Sequence, residues 1–342
     1  MSELVALVTA AAQQPDDDAP RLVLQDALLE RRDPRGEFIA LQFKALRLED
    51  TADDRVRLAQ LEKAHRTRWL GRLAPFVDEA SVRFDRGFLA RVALKPQAFS
   101  SEGRARWRDE PTLPLLRELR VPAGVPATAL AEALREPALA QLAVVTCEDR
   151  RLLEALARTA APWTFRGVGV VGTVRQVMEL LDRVLPAPAF TQLDGLVLEL
   201  ERFGRSAALE LSKRLARSPF RPRCARLDVR VDVDGEVLGY ASSVVAAAWP
   251  GATLTLESQS LTLRARRTEG NRLDVDLVGS HAPEPMMKAI GAMFGALGVL
   301  RVHQRGRSEP ATLELDWLRS HLRRLRAARV SLPAAWGMPD DD

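Results

Sequence analysis

The chain has 342 residues and a formal net charge of +4, and no apolar run reaches the roughly 18 residues that a membrane-spanning helix needs. Its apolar content of 46% and charged content of 28% are those of an ordinary globular protein. The segment Met1–Asp18 lacks a basic leading part and ends in acid, so we expect a helix there, not a signal peptide, and a cytoplasmic protein.

The cysteine, histidine and arginine content argues against a disulfide, a metal site and a nucleic-acid-binding surface. Cys147 and Cys224 form no CxxC motif, and we expect two buried thiols. The four histidines lack the spacing of metal ligands, so the sequence predicts no metal site. Of the 50 basic residues only five are lysines. The other 45 are arginines. They are spread along the chain, which favours a soluble surface over a nucleic-acid-binding stripe.

The N-terminal quarter has the pattern of four helices. The first starts at Ser2 or Glu3. The second is expected to be capped by Asp18, with Pro20 in its first turn, where a missing N–H costs nothing. It ends at the sequence RRDPRG, because the residue before Pro34 disfavours a helical conformation. The third covers the sequence EFIALQFKALRLE, and the fourth starts at Asp53 or Asp54 and runs to Trp69.

Two segments of this quarter carry a family resemblance. The sequences DDDAPRLVLQDALLERRDPRGEFIALQ (Asp16–Gln42) and HRTRWLGRLAPF (His65–Phe76) closely resemble the bacterial repeat-companion domain. That domain is a small helical module that recurs ahead of leucine-rich-repeat-like segments. The sequence VRFDRGFLARVAL (Val82–Leu94) is similar to the strand pair that follows the module. The resemblance covers about residues 1–95 and implies no activity for individual residues.

The polar residues of the DPRGE motif are expected to be structural. We predict that Asp33, Arg35, Gly36 and Glu37 form a turn between two helices with local ion pairs.

Past residue 110 one apolar pattern recurs, with anchors spaced as apolar-x-x-apolar-x-apolar. The anchors are Leu116/Leu119/Val121, Leu139/Leu142/Val144 (with Cys147 three residues later), Phe165/Val168/Val170, Leu193/Leu196/Leu198, Cys224/Leu227/Val229 and Leu297/Leu300/Val302, and weaker copies place Leu254/Leu256, Val275/Leu277 and Val330/Leu332. Helical patterns separate most copies. Each unit is then a strand plus a helix, which buries its apolar faces only by stacking on its neighbours in a parallel sheet.

The predicted fold class is therefore α/β, with a helical module followed by an irregular leucine-rich-repeat-like solenoid. The expected boundaries are residues 1–78 for the module, 79–110 for a β-hairpin and linker, 111–335 for the solenoid and 336–342 for an acidic tail. The asparagine of typical leucine-rich repeats is absent, and no helix fits between Leu256 and Leu273. That stretch predicts a hairpin turning at Glu269–Asn271.

The sequence FRGVGVVGTV contains the spacing Gly167-x-Gly169-x-x-Gly172, which also occurs in dinucleotide-binding turns. Such a turn has its first glycine at the end of a strand, under the pyrophosphate. Here Val168 and Val170 are repeat anchors, so we expect Gly167 and Gly169 to alternate with them inside a strand. The alternative, a nucleotide site, stays open because an acidic residue follows at Asp194 or Glu199.

The strand face is the predicted binding surface, because its outward positions carry charges of both signs, which suits a protein partner. The residues predicted to bind that partner are Arg120, Glu199, Arg226, Asp228, Arg230, Glu257, Arg301 and His303. The chain has no Gly-x-Ser-x-Gly, Walker or HExxH motif, and we predict a non-enzymatic scaffold without cofactor, small-molecule substrate or membrane. The alternatives are nucleic-acid binding through arginines, with Leu318–Val330 the densest basic stretch, and an enzyme with an unrecognised site.

Overall fold

The computed structural model describes residues 3–14, 17–46, 50–159, 162–201, 203–218, 220, 226–231, 253–257, 261–268, 272–279, 299–305 and 329–331. The chain divides into two compact units, Met1–Val168 with Pro188–Gln192, and Gly169–Ala187 with Leu193–Asp342. The protein is α/β, with strands that pair mostly in parallel. None of the helices in these ranges combines the length and the apolar character needed to cross a membrane.

The first unit begins with four α-helices. They are α1 (Glu3–Gln13), α2 (Ala19–Glu30), α3 (Pro34–Leu46) and α4 (Ala52–Leu70). Asp18 occupies the N-cap of α2 and Pro20 its first turn, but the Asp18 side chain makes no capping hydrogen bond. It accepts instead from Nη1 of Arg86 at 2.8 Å. The cap of α4 is Thr51, one residue before the helix, and it forms a capping box with Asp54.

These helices enclose two apolar clusters. In the first, Leu24 and Leu28 of α2 meet Ile39 and Phe43 of α3 and Phe88, and apolar residues of α1 pack against them. The members of the second cluster are Phe38, Leu41, Leu61 and Trp69, with Leu58 and Phe84 packed against them. The rings of Phe38 and Trp69 lie 4.6 Å apart. The apolar residues that recur at helical spacing in the sequence are therefore the residues that form these clusters.

A hairpin of β1 (Arg83–Asp85) and β2 (Phe88–Ala93) follows the helices. Its two turn residues, Arg86 and Gly87, have φ of 48° and 87°, as a two-residue hairpin turn of type I′ requires. The N–H of Gly87 donates to Oε1 of Gln42 at 2.6 Å, and Nε2 of Gln42 donates to the carbonyl of Phe84 at 3.0 Å. The last residue of the DPRGEFIALQ motif thus fastens the hairpin to α3.

The sheet of the first unit continues from β2 to β3 (Glu118–Val121) and β4 (Val144–Cys147), all parallel. Helices α5 (Ser101–Trp107) and α6 (Ala127–Ala133) lie between these strands in the sequence, and α7 (Arg150–Ala157) follows β4. Val92, Leu119 and Val145 occupy the same register position on β2, β3 and β4, and each is completely buried. One inward position is thus repeated on three consecutive strands.

The structure corrects the predicted repeat in two places. The first copy lies on β2, where Leu89, Val92 and Leu94 are buried, so the repeat begins inside the segment predicted as a hairpin and linker. On β4 the anchors are Leu142/Val145/Cys147 and not Leu139/Leu142/Val144. The segment LAQLAVVTC has enough apolar residues to fit both registers, and a 3₁₀ turn (Pro137–Leu139) uses Leu139. The outward residues of β4 are consequently Val144 and Thr146.

The remaining helices and strands are β5 (Gly167–Gly172), α8 (Val174–Val184), β6 (Gly195–Leu200), α9 (Arg205–Arg217), β7 (Arg226–Val231), β8 (Thr253–Glu257), β9 (Leu261–Thr268), β10 (Arg272–Gly279), β11 (Val299–Arg305) and β12 (Arg329–Ser331). Strands β6, β7 and β8 are parallel with the predicted anchors in register. Strand β9 is antiparallel to both β8 and β10, which confirms the predicted hairpin, although its turn residues lie outside the described ranges.

One further register differs from the prediction. Leu273 and Val275 of β10 pair with Leu300 and Val302 of β11, whereas the predicted anchors on this strand were Val275 and Leu277. A shift of two residues keeps the same face of the strand, so the outward positions are unchanged. The basic stretch from Leu318 to residue 328 lies outside the described residues.

Candidate functional site

In the first unit, charged side chains at the carboxyl ends of β3 and β4 form a paired group. Nε of Arg120 donates to Oε1 of Glu148 at 2.8 Å, and Oε2 of Glu148 accepts from the N–H of Ala123 at 3.3 Å. The side chains of Arg120 and Glu148 are 31% and 35% exposed. Oγ1 of Thr146 donates to Oε1 of Glu118 at 3.4 Å. We call Arg120 and Glu148 the β3–β4 rim.

In the second unit, the same kind of pairing joins β6 to β7. Glu199 and Arg230 are register partners, and Nη1 of Arg230 donates to Oε1 of Glu199 at 2.9 Å. Their side chains are only 14% and 16% exposed. Nε of Arg226 lies 3.5 Å from Oδ2 of Asp228, and Arg226 is 42% exposed. These four predicted contact residues are therefore paired with each other, across the strands or along one strand.

For the other three predicted contact residues the backbone gives the position. Glu257 on β8 is the register partner of Arg230, so Glu199, Arg230 and Glu257 form one row across three strands. Arg301 and His303 on β11 are the register partners of Asp274 and Asp276 on β10. Acidic and basic residues thus alternate from strand to strand. This pattern favours cross-strand pairing and lacks the single sign that a nucleic-acid surface needs.

Several outward positions of the strands are closed to solvent. Val144 and Thr146 on β4 are at most 2% exposed, and Val197 on β6 is completely buried. Gly167 and Gly169, also at outward positions, are buried as well. At these positions the strand face is therefore covered, unlike the open binding surface that was predicted.

The glycine spacing lies within β5, as the anchors predicted. Val168 and Val170 are buried, and all three glycines belong to the strand. The N-terminus of the following helix α8 is capped by a capping box of its own. Oγ1 of Thr173 accepts from the N–H of Gln176 at 3.4 Å, and Oε1 of Gln176 accepts from the N–H of Thr173 at 3.2 Å. Donors that a phosphate uses at a helix N-terminus are thus partly engaged here.

The DPRGE motif makes contacts to α4, not the local ion pairs that were predicted. Asp33 accepts through Oδ2 from Nη2 of Arg68 at 3.1 Å, and both oxygens of Glu37 accept from Arg57 at 2.7 Å. The reason is that α3 begins at Pro34 and packs against α4, so that Glu37 lies in the first turn of α3 and Asp33 directly before it. The two segments that carry the family resemblance are therefore in contact.

Arg35 is the most deeply placed cation of this group. Its Nη2 donates to the carbonyl of Trp69 at 3.1 Å, and its guanidinium carbon lies 5.5 Å from the Trp69 ring centroid and 5.2 Å from that of Phe88. Burial lowers the pKa of Arg35 to about 10, against the opposing effect of Asp33 and then Glu110. Sequence reasoning missed this site because no spacing rule connects Arg35 with Trp69.

Metal-binding and thiol chemistry receive no support from the described side chains. Within the described ranges no group of three or more His, Cys, Asp and Glu side chains is placed to hold a metal ion. Cys147 on β4 is a buried free thiol, and burial raises its pKa to about 12, which makes it a poor nucleophile at neutral pH. Cys224 lies outside the described residues.

Comparisons with protein families, with curated proteins and with solved structures found no match for this sequence.

Proposed function

We propose that the protein is a non-enzymatic, cytoplasmic scaffold. In this proposal the helical N-terminal part is a repeat-companion module, and the strands and helices after it are an irregular leucine-rich-repeat-like solenoid. The solenoid binds a protein partner through charged residues on its strand face. The resemblance of the Asp16–Gln42 and His65–Phe76 segments supports the module, and the repeated apolar pattern supports the solenoid.

The observation that carries the proposal is the constant register of the parallel strands. Val92, Leu119 and Val145 share one inward position, and Leu196, Leu227 and Leu254 share another in the second unit. A constant inward register also aligns the outward positions of successive strands. Charged residues then form rows on a rigid scaffold, which is how repeat proteins build extended binding surfaces.

The exposed fractions of the side chains restrict the proposed contact surface to the β3–β4 rim and to Arg226. Arg120 and Glu148 are each about one-third exposed, and Arg226 is 42% exposed. Glu199 and Arg230 are mostly buried and paired with each other, and in this proposal they fix the neighbouring backbone and do not contact the partner. A partner with charges complementary to the β3–β4 rim gains orientation and association rate from this pattern.

A charge-swap experiment tests the proposal without removing the ion pair. The double substitution Arg120→Glu with Glu148→Arg keeps an opposite-charge pair on β3–β4 but reverses the pattern that a partner meets. The matched control is Arg175→Glu with Glu179→Arg on α8, where the wild-type pair is also 2.8 Å long and exposed. Far-UV circular dichroism checks that both variants are folded.

Pull-downs from native lysate should recover a stoichiometric partner with the wild type and with the α8 swap. The β3–β4 swap should recover at least about tenfold less, as expected when a few charge contacts are reversed. Equal recovery by both swaps, or repeated failure of the wild type to retain any stoichiometric protein, would contradict the proposal.

A further inference from the structure

We draw no further inference here: the strongest candidate, the cleft between the α2–α3 turn and α4 that is lined by Leu29, Pro34, Glu37, Arg57, Leu61 and His65, has the charged groups of Glu37 and Arg57 bound to each other, and nothing in the described part of the chain shows what would occupy it.

Discussion

The guanidinium of Arg35 donates from Nη2 to the backbone carbonyl of Trp69, 34 residues later in the chain, at 3.1 Å. This hydrogen bond joins the first turn of α3 to the last turn of α4 and brings together the DPRGE and WLG motifs. A carbonyl in the last helical turn has no partner within its own helix, so Arg35 satisfies an acceptor that the helix leaves unpaired.

Replacing Arg35 should therefore destabilise the N-terminal helices. Arg35→Ala removes a partly buried hydrogen bond, two cation–ring contacts and the packing of a long side chain, for an expected loss of about 2–4 kcal/mol. The control Arg57→Ala breaks the pair with Glu37, whose side chains are 51% and 41% exposed, and should cost at most about 1 kcal/mol. Urea unfolding measures both, and equal losses would show that Arg35 has no special role.

Gly87 should not tolerate a methyl group. Its φ is +87°, and an added Cβ would lie 2.0 Å from Cγ1 of Ile39. Gly124 is the matched control because its φ is +85° but no atom lies within 4 Å of the same methyl group. We expect Gly124→Ala to cost about 1–2 kcal/mol from backbone strain alone. Gly87→Ala should cost about 1–3 kcal/mol more from overpacking, and the difference in unfolding free energy measures that contact.

The Glu199–Arg230 pair should show stronger coupling than a helix-surface pair. A double-mutant cycle with Glu199→Gln and Arg230→Met should give a coupling energy of about 1–3 kcal/mol, because both side chains are mostly buried. The exposed Arg175–Glu179 pair of α8, measured by the same cycle, should give at most about 0.5 kcal/mol. Similar coupling energies for the two pairs would mean that Glu199 and Arg230 stabilise the protein no more than an exposed ion pair does.

Cys147 should be unreactive in the folded protein. Burial raises the pKa of its thiol from 9.0 to about 12, so the folded state keeps the proton that the unfolded state loses above pH 9. The free energy of unfolding should accordingly fall as the pH rises from about 9 towards 12, and Cys147→Ala should lose that part of the slope. Peptide mapping after iodoacetamide treatment at pH 8 should find Cys147 modified only in denaturant; rapid modification of the native protein would contradict the burial.

Much of the fold follows from apolar spacing alone. The helical positions of Leu24, Leu28, Phe38 and Leu41 predict the N-terminal helices, and the anchors on β6 and β7 predict the register of these strands, because burial selects one face of each element. The pattern failed at LAQLAVVTC, where Leu142, Val144 and Val145 leave the register ambiguous. The choice there depends on the neighbouring strand, and the sequence of a single segment does not contain that information.

The candidate sites were harder to predict. The charged residues of the strand face could be named from alternation, but their pairing, as between Arg120 and Glu148, depends on which strands are neighbours. The burial of Thr146 and Val197 depends on how the sheet is covered. The hydrogen bond between Arg35 and Trp69 joins residues 34 positions apart, and no local pattern predicts it.

The most direct test of the scaffold proposal is hydrogen–deuterium exchange of the purified protein with and without its recovered partner. The account predicts that complex formation slows amide exchange at the carboxyl ends of β3 and β4, around Arg120–Ala123 and Cys147–Asp149, and leaves the backbone of α7 and α8 unchanged. Protection confined to those helices, with the β3–β4 rim unchanged, would contradict the account.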